Sequence, residues 1–160
     1  SKLEAEQGIC PLADENFKVA VLRPPMIYGR DSKGNYRKLS ALAKKCPIFP
    51  NIPNTRSMLF VDNLCEFVRL LVDSGEGGTF YPQNKEYVTT TEMVKEIAAC
   101  HNKKMHVTKA FNFLIYPAGR FLGIINKVFG NLAYEKGMSD YQNYAYCVVD
   151  FKESIRRTEE

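Results

Sequence analysis

The 160-residue chain reads as one α/β unit. Three observations carry that reading. Strand-like and helix-like patterns alternate along the chain, as they do where helices cover a sheet. A near-continuous apolar run, Val19 to Leu22, is bounded by turn residues and suits a strand buried on both faces. Directly after it Pro24 and Pro25 remove two backbone donors, so regular pairing ends and an irregular loop opens at the strand's end. Open α/β sheets place ligands at such ends; an ordinary exit loop from a core strand is the other reading of the same residues. Gly29 then supplies a flexible turn.

In chain order, Ser1 to Ala13 reads as a helix with Ala5, Ile9, Leu12 and Ala13 at helical spacing, weakened by Gly8 and ended or kinked near Pro11. Asp14–Asn16 is a turn, and the strand from Phe17 follows. Asp31–Gly34 is a polar loop. Tyr36 to Cys46 reads as a helix with Leu39, Leu42, Ala43 and Cys46 on one face. The next stretch is broken by three prolines and holds a short strand at Ile48 and Phe49. Ser57 to Val61 is a short apolar strand, and Asp62 is expected to cap a helix whose Leu64, Phe67, Val68, Leu71 and Val72 face the core. Gly75–Gly78 ends that helix.

Thr79–Tyr81 is a strand stopped by Pro82. Thr89-x-x-Glu92 is a capping box opening a helix with Val94, Ile97 and Ala98 inward. Met105 to Thr108 alternates like a strand. Phe111 to Phe129 is long and apolar but interrupted by Asn112, Pro117, Arg120, Asn126 and Lys127, which favours a buried or surface-lying helix over a membrane span. Asn131–Glu135 and Tyr144–Val149 read as strands, and Asp150 caps a polar terminal helix.

Composition narrows the class. Apolar content of 45% with 25% charged residues is that of an ordinary globular protein. A net charge of +4 suits an anionic small-molecule ligand and is too weak to argue for nucleic acid. The five cysteines are scattered and form no CxxC pair, so no zinc or redox motif is indicated. Three lie in apolar helical patterns, where a buried thiol acts as a small hydrophobe, and a reducing cytoplasm is the simplest compartment. His101 and His106 lack partners at metal-ligand spacing. Ser1 opens directly in helix-like sequence, so the chain is expected to be a piece of a longer protein.

Three stretches occur in register: Ser1-Lys2-x-x-Ala5-Glu6, Leu22 to Gly29, and Arg56 to Leu64. Together they resemble the C-terminal half of an extended short-chain dehydrogenase/reductase. More narrowly they are similar to NAD-dependent nucleotide-sugar epimerases and dehydratases of the UDP-glucose 4-epimerase type. Lys33-Gly34-Asn35 fits the bacterial polysaccharide branch. The resemblance implies the C-terminal portion of a Rossmann-type fold with its substrate-binding subdomain, and a chain that lacks the N-terminal NAD-binding half.

Within that resemblance Lys2 matches the lysine of a Tyr-x-x-x-Lys pair, whose tyrosine would lie three positions before Ser1. Lys2 would be catalytic and cofactor-binding, lowering the phenol's pKa and holding the nicotinamide ribose; taken alone, it is a solvated helix lysine. Pro24 and Pro25 fall where the family's backbone passes the nicotinamide. Arg56 falls where a guanidinium grips the substrate diphosphate, or else is a surface arginine at a strand end. Asn35 falls beside the substrate phosphates, or serves only as a helix N-cap. Ile48 and Phe49 fall along the uracil, or simply pack in the core. Met26 stands where many relatives carry a substrate-touching Asn, and it cannot make the same hydrogen bond.

No second phosphate arginine stands out in the C-terminal third; Lys127, Lys136 and Arg120 are the available substitutes, and nothing in the spacing selects one. No metal is implied. The implied activity is UDP-hexose 4-epimerisation through a 4-keto sugar, with NAD as cofactor in the intact protein and a homodimer formed through the N-terminal helix. This stretch alone is expected to be inactive. A non-catalytic nucleotide- or protein-binding module of the same fold is the alternative. Nucleic-acid binding through Arg30, Lys33, Arg37, Lys38, Lys44 and Lys45 is not expected, since no stacking platform accompanies those charges.

Overall fold

The structure, a computed structural model, describes residues 1–109 and 130–160. The apolar segment Phe111–Phe129 expected to be helical lies outside the described residues, as do Arg120 and Lys127.

Helix α1 spans Lys2–Ile9, with Ser1 and Glu4 forming a capping box at its start. A 3-10 turn, Cys10–Leu12, carries Pro11 and ends the helical stretch short of Ala13. Strand β1 is Ala20–Leu22 and β2 is Met26–Tyr28. Helix α2 covers Asn35–Lys45, followed by β3 (Ile48–Pro50) and β4 (Met58–Phe60). Helix α3 (Val61–Ser74) leads to β5 (Gly78–Phe80), and α4 (Thr90–Cys100) to β6 (His106–Thr108). One turn, α5 (Lys136–Ser139), a 3-10 turn at Gln142–Tyr144 and helix α6 (Phe151–Glu159) complete the described chain.

The strands form three parallel pairs: β1 with β5, β2 with β4, and β3 with β6. This is a Rossmann-like α/β arrangement. The strand β2 is a departure from expectation. Pro24 and Pro25 do end pairing, but only between β1 and β2; beyond them the chain joins a different partner, Tyr28 lying opposite Phe60.

Among the described residues two apolar clusters hold the elements. The larger joins β2, β3, β4 and helices α2, α4 and α6 through Tyr28, Phe49, Phe60, Met93, Ile97 and Ile155. The smaller gathers Leu59, Phe67, Leu71 and Tyr146. Each such side chain stabilises the fold by roughly 1.5–3 kcal/mol relative to leaving it exposed.

Several sequence expectations are corrected. β1 is not buried on both faces: Ala20 is exposed and Val21 and Leu22 are half-buried, because one face opens into a cleft against α1. On α3, Phe67 and Leu71 are buried but Val68 and Val72 are 41% and 74% exposed; they lie to one side of the line that meets the core. Phe60, not Asp62, is the N-cap of α3, and Asp62 sits in its first turn, where its charge complements the helix N-terminus.

Gly34, not Asn35, is the N-cap of α2, at φ 112. Leu132 makes only isolated bridge contact with Arg56, and Tyr144–Val149 forms no strand, its chain being held instead by the buried Tyr146 hydroxyl. No cysteine among the five is fully buried. The capping box at Thr89 and the Asp150 cap stand as expected. Among the described residues no helix is long and apolar enough to cross a membrane.

Candidate functional site

Helix α1 lies alongside β1 and leaves a cleft of about 630 Å³ that runs along the strand and past its C-terminal end. Lys2, Leu3, Glu6 and Ile9 form one wall. Val19 through Pro25, with Ile27, form the other. β1 pairs in parallel with β5, and the Arg23 N–H donates to the Phe80 carbonyl at 2.9 Å before the prolines end the ladder. Pro24 and Pro25 therefore present backbone with no N–H to satisfy. Lys2, Pro24 and Pro25, three positions marked from the sequence, meet in this one cavity. α1 has no fully buried residue, and Leu3, Ile9 and Leu12 are largely exposed.

Two residues of the cleft escaped the sequence reading. Arg23 Nη2 lies 2.6 Å from Glu6 Oε1. That hydrogen bond, with Glu6's charge, raises the Arg23 guanidinium's pKa above its ordinary value. The signal available in the sequence was the four-residue spacing of Lys2 and Glu6, which places both on one helix face.

The other marked residues lie apart from the cleft. Arg56 is 6% exposed, not a surface arginine. Its backbone exchanges hydrogen bonds with Val88, and its Nη1 donates to the Gly130 carbonyl at 3.4 Å. Burial lowers its pKa from the ordinary arginine value. Asn35 is the half-buried first residue of α2. β3 splits its pair: Ile48 is 51% exposed while Phe49 is core, at 2%. Met26 is half-buried and packs against the larger cluster. Lys136 stands 4.9 Å over the Tyr87 ring.

A second, polar cavity of about 270 Å³ lies between the loop at Gly29–Ser32 and helices α2 and α6. Its lining includes Tyr36, Ser40, Lys44 and Glu159. The Glu159 carboxylate accepts from the Tyr36 and Ser40 hydroxyls at 2.9 and 3.0 Å and pairs with Lys44 and His101 at 2.8 and 2.7 Å. Among the described residues no group of three or more His, Cys, Asp and Glu side chains is arranged to hold a metal.

No family model matches the chain. Over 109 residues it is 31% identical to the UDP-glucose 4-epimerase of Vibrio cholerae, a match covering 64% of this chain and 33% of that protein. The chain thus spans about a third of the curated relative it matches.

Among solved structures, the UDP-glucose 4-epimerase of Thermus thermophilus in complex with NAD superposes with a TM-score of 0.58 at 15% identity, covering 98% of this chain and 49% of that one. The UDP-glucuronic acid 4-epimerase of Bacillus cereus in complex with NAD gives 0.58 at 9% identity, with the same coverage. At those identities the likeness is one of fold.

Proposed function

We propose that this chain is the C-terminal part of an NAD-dependent epimerase acting on a nucleotide sugar, and that the reaction is 4-epimerisation of a UDP-hexose through a 4-keto intermediate. The observation that carries the reading is the meeting of Lys2, Pro24 and Pro25 in one cleft that reaches past the C-terminal end of β1. A ligand crevice outside the carboxyl ends of parallel strands is the general rule for this architecture.

The residues of the cleft fit the nicotinamide end of the cofactor. Its volume of about 630 Å³ lies in the range of ligand pockets. Val21 and Leu22 offer apolar surface, the two prolines impose no unmet donor, and Lys2 supplies a cation for ribose hydroxyls. NAD bound there would supply the hydride acceptor and donor for the sugar carbon. Lys2 would set its positive charge beside the phenol of the tyrosine that the family pattern places before Ser1, favouring the phenolate that removes the sugar hydroxyl's proton.

Arg56, Asn35 and Ile48 are assigned to the UDP moiety, the first two at the diphosphate and the third along the uracil, with Phe49 supporting Ile48 from the core and Met26 facing the sugar without a hydrogen bond. The compartment proposed is the cytoplasm. α1 is proposed to pair with α1 of a second copy, since none of its residues is buried and Leu12, just beyond it, is exposed too.

One observation favours a second reading, a non-catalytic module: Met26 packs on the core rather than offering a polar contact. The deciding experiment uses the protein that carries this chain together with its upstream residues. Interconversion of UDP-glucose and UDP-galactose, or of their N-acetyl forms, is followed with NAD present, with Lys2→Met as control. Absence of interconversion from the wild-type protein defeats the epimerase reading in favour of the module.

A further inference from the structure

We infer that Arg23 and Glu6 are positioning residues for Lys2, an ion pair that latches α1 to the end of β1 and aims the lysine into the cleft. The role for Lys2 rests on the epimerase reading above; the latch itself rests on geometry alone. α1 is short, buries none of its residues, and so draws little stability from packing. What fixes its rotation must be directional. Arg23 supplies that: its Nη2 reaches Glu6 at 2.6 Å. Its own backbone N–H is tied to Phe80. Arg23 thus joins α1 through its side chain and β5 through its backbone at the end of β1.

Glu6 lies one helical turn after Lys2, on the same face. Holding the Glu6 carboxylate over Arg23 therefore sets the angle at which Lys2 enters the cleft, whose opposite wall includes Arg23 and the adjoining Pro24. Turning α1 by one residue would swing Lys2 out of the cavity by ~100°. Glu6 is a quarter exposed and Arg23 less than half, so the pair contributes modestly to stability and chiefly to orientation.

Two measurements on Arg23→Met, Glu6→Gln, Arg23→Lys and the charge exchange Glu6→Arg with Arg23→Glu test this. The first is amide hydrogen exchange of the 160-residue chain. Protection of α1 is expected to fall about threefold to fivefold in the two neutral variants, with α4 unchanged, and to return in the charge exchange. The second is turnover of UDP-glucose by the protein with its upstream residues. There kcat is expected to fall by roughly tenfold or more in the neutral variants, since misplacement of a reacting group is costly, with KM within about twofold. Arg23→Lys recovers part of it.

Unchanged α1 protection in Arg23→Met overturns the latch. Lost protection with unchanged kcat, where Lys2→Met abolishes turnover, shows a purely structural pair and overturns the positioning role. A wild-type protein without turnover overturns the reading beneath and the role of Lys2 with it, while the exchange measurement still decides whether the latch exists.

Discussion

His101 Nε2, at the C-terminal end of α4, lies 2.7 Å from Glu159 Oε2, at the end of α6. The same carboxylate, 4% exposed, also receives the Lys44 ammonium and the hydroxyls of Tyr36 and Ser40 from α2. One side chain from the last helix therefore ties together the three helices that cover the larger apolar cluster. Burial pushes the Glu159 carboxyl up, but the hydrogen bonds from His101, Lys44, Ser40 and Tyr36 outweigh it and hold it at about 2.

A carboxylate depressed in the folded state stabilises above its ordinary range, and that contribution is lost as pH falls from about 4.5 through about 2. Glu159→Gln should therefore cost on the order of 2–3 kcal/mol at neutral pH. The gap between wild type and variant should narrow as pH drops toward 2. Urea midpoints at pH 7 and at pH 3 measure it; a gap that does not change with pH would mean that the charge of Glu159 is not what matters.

Tyr28 and Ser154 carry a second long-range tie. Their hydroxyls are 2.5 Å apart, and the Asn84 side chain donates to the Tyr28 oxygen at 3.1 Å. Burial pushes the Tyr28 phenol up to about 12, so it stays protonated across the working range. Tyr28→Phe keeps the ring stacked on Tyr36 and removes only the oxygen. The Asn84 donor then loses that acceptor inside the core, at about 1–3 kcal/mol. Denaturant unfolding of Tyr28→Phe beside Ser154→Ala reads this, and the double variant should lose less than the sum of the singles because they share one hydrogen bond.

What the sequence made legible was local. The capping box at Thr89, the Asp150 cap and the spacing of Leu39 and Ala43 each act within a few residues, so α4, α6 and α2 could be read directly. The cleft residues Lys2, Pro24 and Pro25 were marked through register with a family pattern, and they meet. Illegible features depend on partners far along the chain. β2 exists because β4, some thirty residues later, pairs with it. Tyr144–Val149 has strand-like residues, yet the Tyr146 hydroxyl is spent on Gln83 and Ser139. Glu6 and Arg23 are seventeen residues apart, and nothing local predicts their contact.

Gly29 is a case where the reason changed. It was expected as a flexible turn, but it is not among the residues at positive φ. Its requirement is space: a Cβ there would stand 2.5 Å from Val61 Cγ1. Val61 opens α3 and is β-branched, so it has little freedom to yield. Gly29→Ala should cost about 1–3 kcal/mol by overpacking. Adding Val61→Ala should recover most of it, a reversal that thermal melts of the single and double variants detect. Failure of the second change to rescue the first would return the explanation to backbone conformation.

Arg56 brings stability and ligand binding into one test. Because it is nearly buried between Val88 and Leu132, Arg56→Ala should lower stability, by about 1–3 kcal/mol for the lost packing and the hydrogen bond to Gly130. If Arg56 also grips the diphosphate as proposed, truncating one member of a buried charged pair costs about 2–5 kcal/mol of binding, so UDP-sugar affinity should fall by more than about tenfold. NAD affinity should stay within about twofold, because Arg56 does not line the α1–β1 cleft. Arg56→Lys should recover part of the affinity, since an ammonium lacks the two-pronged contact. Titrations of UDP and NAD into each variant of the protein with its upstream residues, each with its melting temperature recorded, separate the two effects. A folded Arg56→Ala protein that binds UDP as tightly as wild type would leave Arg56 as a structural bridge alone and remove the diphosphate from this part of the molecule.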